Sequence, residues 1–114
     1  ADDAALAARL PDTNAMTTPD APTLHQAFRL LVDAGVRTVA MEVTSHALAQ
    51  RRVAGLVLQV GAITNLVPDE HLEFHPDPMD YLRTKAKFFD HLEEGAPIVA
   101  NADDALVRDM VQAA

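Results

Sequence analysis

Two β-rich apolar runs, each finishing in polar residues, constrain this chain more than any other feature. Residues 36–43 and 56–65 have the near-continuous hydrophobicity of strands buried in a parallel sheet. The segments around them carry helical patterns instead. From Asp20 to Gly35, Leu24, Phe28, Leu31 and Val32 share one face, Asp20 or Thr23 is a candidate N-cap, and Gly35 is a C′ stop. Residues 44–52 suit a short helix. Asp77-Pro78-Met79-Asp80 starts another, with an acid as cap and proline in the first turn, and it is predicted to run to about Glu93 before Gly95 stops it. Residues 97–100 are a third short strand and residues 103–112 a last helix. Alternating helix and strand predict an α/β fold of three layers, a mostly parallel sheet with flanking helices and right-handed crossovers. Residues 1–16, rich in Ala and Asp, are expected to be poorly structured, so that the fold begins at Thr17.

Composition narrows the partners. In 114 residues, 49% hydrophobic content suffices for one packed core. Nine basic against seventeen acidic residues give a net charge of −8, which repels a polyanionic backbone and argues against nucleic acid. An anionic nucleotide binds such a chain only where a cation, a helix N-terminus or an arginine overcomes the charge locally. No apolar run is long enough to span a membrane, no signal peptide is readable, and the expected compartment is the cytosol. With no cysteine, any metal is left to His, Asp, Glu or a modified Lys, and it should be a hard one.

In parallel sheets ligands bind beyond the carboxyl ends of the strands, and the polar clusters fall there: Glu42-Val43-Thr44-Ser45-His46, the loop from Thr64-Asn65 to His75, and Asn101-Ala102-Asp103-Asp104. His71 and His75 lie four apart beside Glu70 and Glu73, a spacing open to a metal site or to an ordinary surface loop. Lys85 and Lys87 are solvated lysines whose stems cover core, unless Lys85, one turn beyond Tyr81, points toward the sheet. There it needs a lowered pKa or a chemical modification. Ser45 and His46 are adjacent, a poor geometry for a nucleophile and its base. Asn101 and Asp103 also read as a helix cap.

Five motifs then match one family in order. Met41-Glu42-Val43-Thr44-Ser45-His46, followed by Gln50 and Arg52, resembles the Met-Glu-Val-Ser-Ser-His segment of Mur ligases. Thr64-Asn65-Leu66 and His71-Leu72-Glu73-Phe74-His75 resemble Thr-Asn-Leu-x-x-Asp-His-Leu-Asp-x-His. Tyr81, Lys85 and Phe89 fit Tyr-x-x-Ala-Lys-x-x-Leu-Phe, Asn101-Ala102-Asp103-Asp104 fits Asn-Ala-Asp-Asp, and Thr17-Thr18-Pro19-Asp20 also fits. Residues 17–114 thus resemble part of the central ATP-binding domain, most like the members that add the third amino acid to UDP-N-acetylmuramoyl-dipeptide.

The resemblance implies ATP-dependent amide-bond formation through an acyl phosphate, with Mg²⁺ as the cation and UDP-N-acetylmuramoyl-peptide and an amino acid as substrates. It implies Glu42 and His71 as metal ligands and Lys85 as a lysine carbamylated to an anionic group near a second Mg²⁺, all three serving catalysis. Thr17, Thr18, Thr44, Gln50 and Arg52 are implied to hold the UDP-muramoyl-peptide, with Arg51 competing for the role of Arg52, and Asn101 to approach the adenine. Pro68-Asp69-Glu70-His71 carries one residue more than the family spacing, so Asp69 and Glu70 compete for the acid position, and Thr44 replaces a serine. A related ligase of folylpolyglutamate, cyanophycin or lipid-linked muramoyl type, or a non-catalytic α/β module, are the other readings. No Gly-x-x-Gly-Lys-Thr phosphate loop is present. The polypeptide alone is therefore expected to be inactive and to depend on the remaining domains of the same ligase.

Overall fold

A computed structural model describes residues 3–11, 16–70 and 73–114. The chain divides into two units, Ala1–Ala54 and Gly55–Ala114.

In the first unit, α1 (Asp3–Arg9) forms within the segment expected to be loose. Its alanines favour helix, yet it buries no residue. Helix α2 (Ala21–Asp33) starts where Asp20 accepts the Thr23 N–H at 2.9 Å, with proline in the first turn. It ends in a left-handed Gly35 (φ 85°), with Gly35 N–H donating to Val32 O and Val36 N–H to Leu31 O. That pairing is a Schellman motif, and only glycine adopts its C′ conformation without cost. Leu24 anchors the helix, while Val32, placed on the apolar face by periodicity, is 62% exposed. Helix α3 (Ser45–Ala49) is capped by Thr44, whose hydroxyl oxygen accepts the Ala47 N–H. Leu24, Ala47, Leu48 and Val53 are buried in this unit.

The expected strand at residues 36–43 does not form. Residues 36–40 are all exposed, and no ladder pairs the segment among the described residues. β-propensity expresses fit to a pleated, partnered surface, and with no described strand beside it the run forms no ladder.

The second unit carries the sheet. β1 (Gly61–Ile63) pairs in parallel with β2 (Ile98–Ala100), in the register Gly61 to Ile98 and Ile63 to Ala100. The ladder is shorter than residues 56–65 suggest, although an isolated parallel bridge joins Leu58 to Leu92. Gly61 has a close-packing purpose: a Cβ there would lie 2.9 Å from the Phe88 ring and 3.1 Å from Leu92 Cδ2. Helix α4 (Pro78–Ala86) begins as expected, with Asp77 accepting the Asp80 N–H at 2.8 Å. It then tightens into a 3₁₀ turn over Lys87–His91 rather than continuing to Glu93, because Leu92 turns extended to meet Leu58. Helix α5 (Ala105–Ala113) packs beside β2. Ile63, Leu66, Tyr81 and Val107 form the buried core, with Leu82, Phe88, Phe89, Met110 and Val111 around it. Full burial of a side chain such as Val107 stabilises by about 1.5 kcal/mol or more.

Candidate functional site

In the first unit, residues from three separate stretches of chain meet around Thr18. Its side chain is fully buried and its hydroxyl works in both directions, donating to Glu42 O at 2.9 Å and accepting from Thr44 N–H at 3.2 Å. Arg52 then closes the group. Its Nε and Nη2 both donate to Gln50 Oε1, at 3.0 and 2.6 Å, and its Nη1 donates to Thr18 O at 3.1 Å. Thr18, Glu42, Thr44, Gln50 and Arg52 are therefore one hydrogen-bonded network, with Thr17 exposed beside it.

The turn between Gln50 and Arg52 explains how two near neighbours reach each other. Arg51 N–H donates to Leu48 O and Arg52 N–H to Ala47 O, a Schellman closure of α3, and Arg51 takes the left-handed position with φ 57°. It is the one non-glycine residue at positive φ among the described residues. An arginine pays about 1 kcal/mol there relative to glycine, and strain of this kind gathers at functional sites. Asp20, the α2 cap, lies below its ordinary carboxyl value. The hydrogen bonds from Thr23 are the main cause, with the Arg52 guanidinium adding to them.

The second unit holds Asn101 and Lys85. Asn101 leaves the end of β2: its N–H donates to Ile63 O at 3.1 Å, and its Oδ1 accepts the Asp103 N–H at 3.0 Å. The α5 cap is Asp104 rather than Asp103. Asp104 Oδ1 accepts from Leu106 and Val107 N–H, and Oδ2 accepts from Leu66 N–H at 3.0 Å. One carboxyl thus ties the loop after β1 to the start of α5. Its pKa is lowered chiefly by the Leu66 N–H, then by the Val107 N–H. Arg108 Nη1 bonds Ala102 O and holds the same turn. Lys85 is half-buried in the last turn of α4.

His71 lies outside the described residues. Its expected companion, His75, is not presented to solvent as a surface ligand: it is 2% exposed, with Nδ1 2.7 Å from Asp80 Oδ2 and its ring edge-on to Tyr81 at 5.6 Å. Periodicity missed this pair because residues 73–75 precede α4 and are not helical. The signal was the acid in the first turn of the next helix. Among the described residues, no three His, Asp or Glu side chains gather closely enough to hold a metal ion, and no helix is long and apolar enough to cross a membrane. Glu42, in the first unit, is exposed.

Comparison with known proteins places these motifs. A family model described as the Mur ligase middle domain matches residues 4–114. The chain is 48% identical over 100 residues to a UDP-N-acetylmuramoyl-L-alanyl-D-glutamate–2,6-diaminopimelate ligase of Mesorhizobium japonicum, covering 87% of this chain and 20% of that protein. Ligases of the same name from Parabacteroides distasonis and Corynebacterium glutamicum are 47% identical over 88 residues and 48% over 94. These matches cover 77% and 82% of this chain, and 18% and 17% of the relatives. The chain spans about one fifth of the length of the curated relatives it matches. With its motifs in order, its parallel strands flanked by helices and a family match over almost its whole length, the chain belongs to the Mur ligase family, as sequence of the middle domain.

Proposed function

We propose that this chain is part of a cytosolic, ATP-dependent ligase of peptidoglycan synthesis that adds an amino acid to UDP-N-acetylmuramoyl-L-alanyl-D-glutamate. The amino acid named for the relatives, 2,6-diaminopimelate, is the one we assign. A substrate carboxylate oxygen attacks the γ-phosphorus of ATP, the bond to ADP breaks, and an acyl phosphate forms. The incoming amine then attacks the acyl carbon, and inorganic phosphate leaves with the electron pair of its bond to carbon while the amine loses a proton. The observation that supports this reading is the Thr18 network, which draws the Thr-Thr, Glu-Val-Thr and Gln-x-Arg segments together.

Arg52, pre-oriented by Gln50, gives the substrate a charge-assisted contact to an anionic group. Thr17, Thr44 and Gln50 offer hydroxyl and amide partners beside it, and Thr18 braces them from beneath. Asn101, fixed by Asp103 and Ile63, serves the adenine. Lys85 is carbamylated: the neutral amine attacks carbon dioxide, an N–C bond forms, a C=O pair moves to oxygen and one N–H proton leaves to water. By the resemblance, Glu42 and His71 would each serve as a Mg²⁺ ligand, and the Lys85 carbamate, an oxygen donor of the kind a hard cation takes, would lie near a second Mg²⁺. Mg²⁺ would supply neutralisation of phosphate charge. In the full-length polypeptide, phosphate release should require ATP, UDP-N-acetylmuramoyl-dipeptide and diaminopimelate together, and heavy oxygen placed in the substrate carboxylate should appear in the released phosphate. Label that stays wholly in the peptide rejects the acyl phosphate route.

A further inference from the structure

The buried His75–Asp80 pair has no part in the chemistry above, and a buried imidazole beside a carboxyl needs an explanation. His75 is 2% exposed and Asp80 is partly exposed; Nδ1 lies 2.7 Å from Asp80 Oδ2. A carboxylate oxygen only accepts, so Nδ1–H donates and the tautomer is set by Asp80. Asp80 is in the first turn of α4, its own N–H held by Asp77. The next residue, Tyr81, is 3% exposed in the core and meets the imidazole edge-on, and Thr84 is buried one turn further. Lys85 follows Thr84 and stands four residues, about one helical turn, beyond Tyr81.

We infer that His75 is a positioning residue for Lys85: its hydrogen bond to Asp80 and its edge contact with Tyr81 fix the rotation of α4, and with it the direction in which the helix presents the Lys85 amine. Core burial of Tyr81 already limits how α4 can turn, and the buried His75–Asp80 pair adds a second constraint in the turn before Lys85. This inference rests on the carbamylated-lysine reading. It adds a determinant of how readily that carbamate forms.

The test uses the full-length polypeptide stripped of carbon dioxide, then titrated with isotopically labelled bicarbonate while carbamate occupancy is read by carbon NMR and ligase activity in parallel. The variants are His75→Leu, His75→Asn and Asp80→Ala. His75→Leu and Asp80→Ala should each raise the bicarbonate concentration for half-occupancy about tenfold, as expected for loss of a group that orients a ligand. His75→Asn, which keeps a donor toward Asp80, should stay within about threefold of the parent protein. The KM for the UDP-muramoyl substrate should be unchanged throughout. If His75→Leu does not fold, Asp80→Ala at the partly exposed partner and His75→Asn still decide the matter. A parent protein that forms a carbamate, with all three variants titrating as it does, overturns the inference alone. A parent protein with no carbamate signal overturns the lysine reading and the inference with it.

Discussion

The hydroxyl of Thr18 donates to the backbone carbonyl of Glu42 at 2.9 Å, joining positions 24 residues apart in the chain. Through this bond the end of a segment that forms no ladder is held where Thr44 caps α3. Position is supplied by a side chain where a sheet ladder was expected.

Replacing that hydroxyl should therefore cost more than an ordinary threonine substitution. Thr18→Val leaves the Glu42 carbonyl and the Thr44 N–H without their partner in a buried place, and we expect a loss of about 1–3 kcal/mol in urea unfolding. Thr18→Ser should lose about 1 kcal/mol or less. Equal losses for the two variants contradict a role for the hydroxyl.

Arg51 and Arg52 are expected to part ways. Arg51→Gly relieves a left-handed residue and should stabilise the protein by about 0.5–1 kcal/mol in thermal or chemical unfolding. Arg52→Met removes the contacts to Gln50 Oε1 and Thr18 O, and should raise the KM for the UDP-muramoyl substrate in the full-length ligase by about tenfold or more. A larger KM effect from Arg51→Gly than from Arg52→Met reverses the assignment.

Much of this was legible in the chain itself, because caps and stops act locally. Asp20, Gly35 and the Asp77-Pro78 start need only near neighbours in sequence, and each appears where its chemistry puts it, whereas Thr44, expected inside the helix over residues 44–52, caps the shorter Ser45–Ala49. Strand partners are non-local, which is why residues 36–43 have strand composition without a ladder. Asp103 and Asp104 are equivalent as local caps. The Leu66 N–H, 38 residues away, selects Asp104. His75, whose spacing left a metal site and an ordinary surface loop both open, is instead buried against Asp80 and Tyr81.

Acid should weaken both caps. Asp20 and Asp104 lie below the ordinary carboxyl value of 3.8, chiefly through Thr23 and the Leu66 N–H respectively. A folded pKa below the unfolded one means that the stabilising contribution is complete above that ordinary value and is lost as pH falls through the folded value. Stability followed by denaturant midpoint should therefore fall below about pH 4, and Asp104→Asn, which caps without titrating, should show a shallower fall. An unchanged acid slope in that variant removes Asp104 as a source.

At the start of β1, Gly61→Ala sets a methyl 2.9 Å from the Phe88 ring. The ring and Leu92 must shift, and we expect a loss of about 1–3 kcal/mol by chemical denaturation. Pairing the substitution with Phe88→Leu should return part of it. No loss in the single variant means that the packing over β1 is looser than described.

Lys85 offers the most direct measurement of the central claim. Ligase activity of Lys85→Ala in the full-length polypeptide should fall by about a thousandfold or more, and short carboxylic acids such as formate or acetate should restore part of it by standing in for the carbamate. A Lys85→Ala enzyme that ligates at the parent rate without added acid contradicts the role given to this lysine.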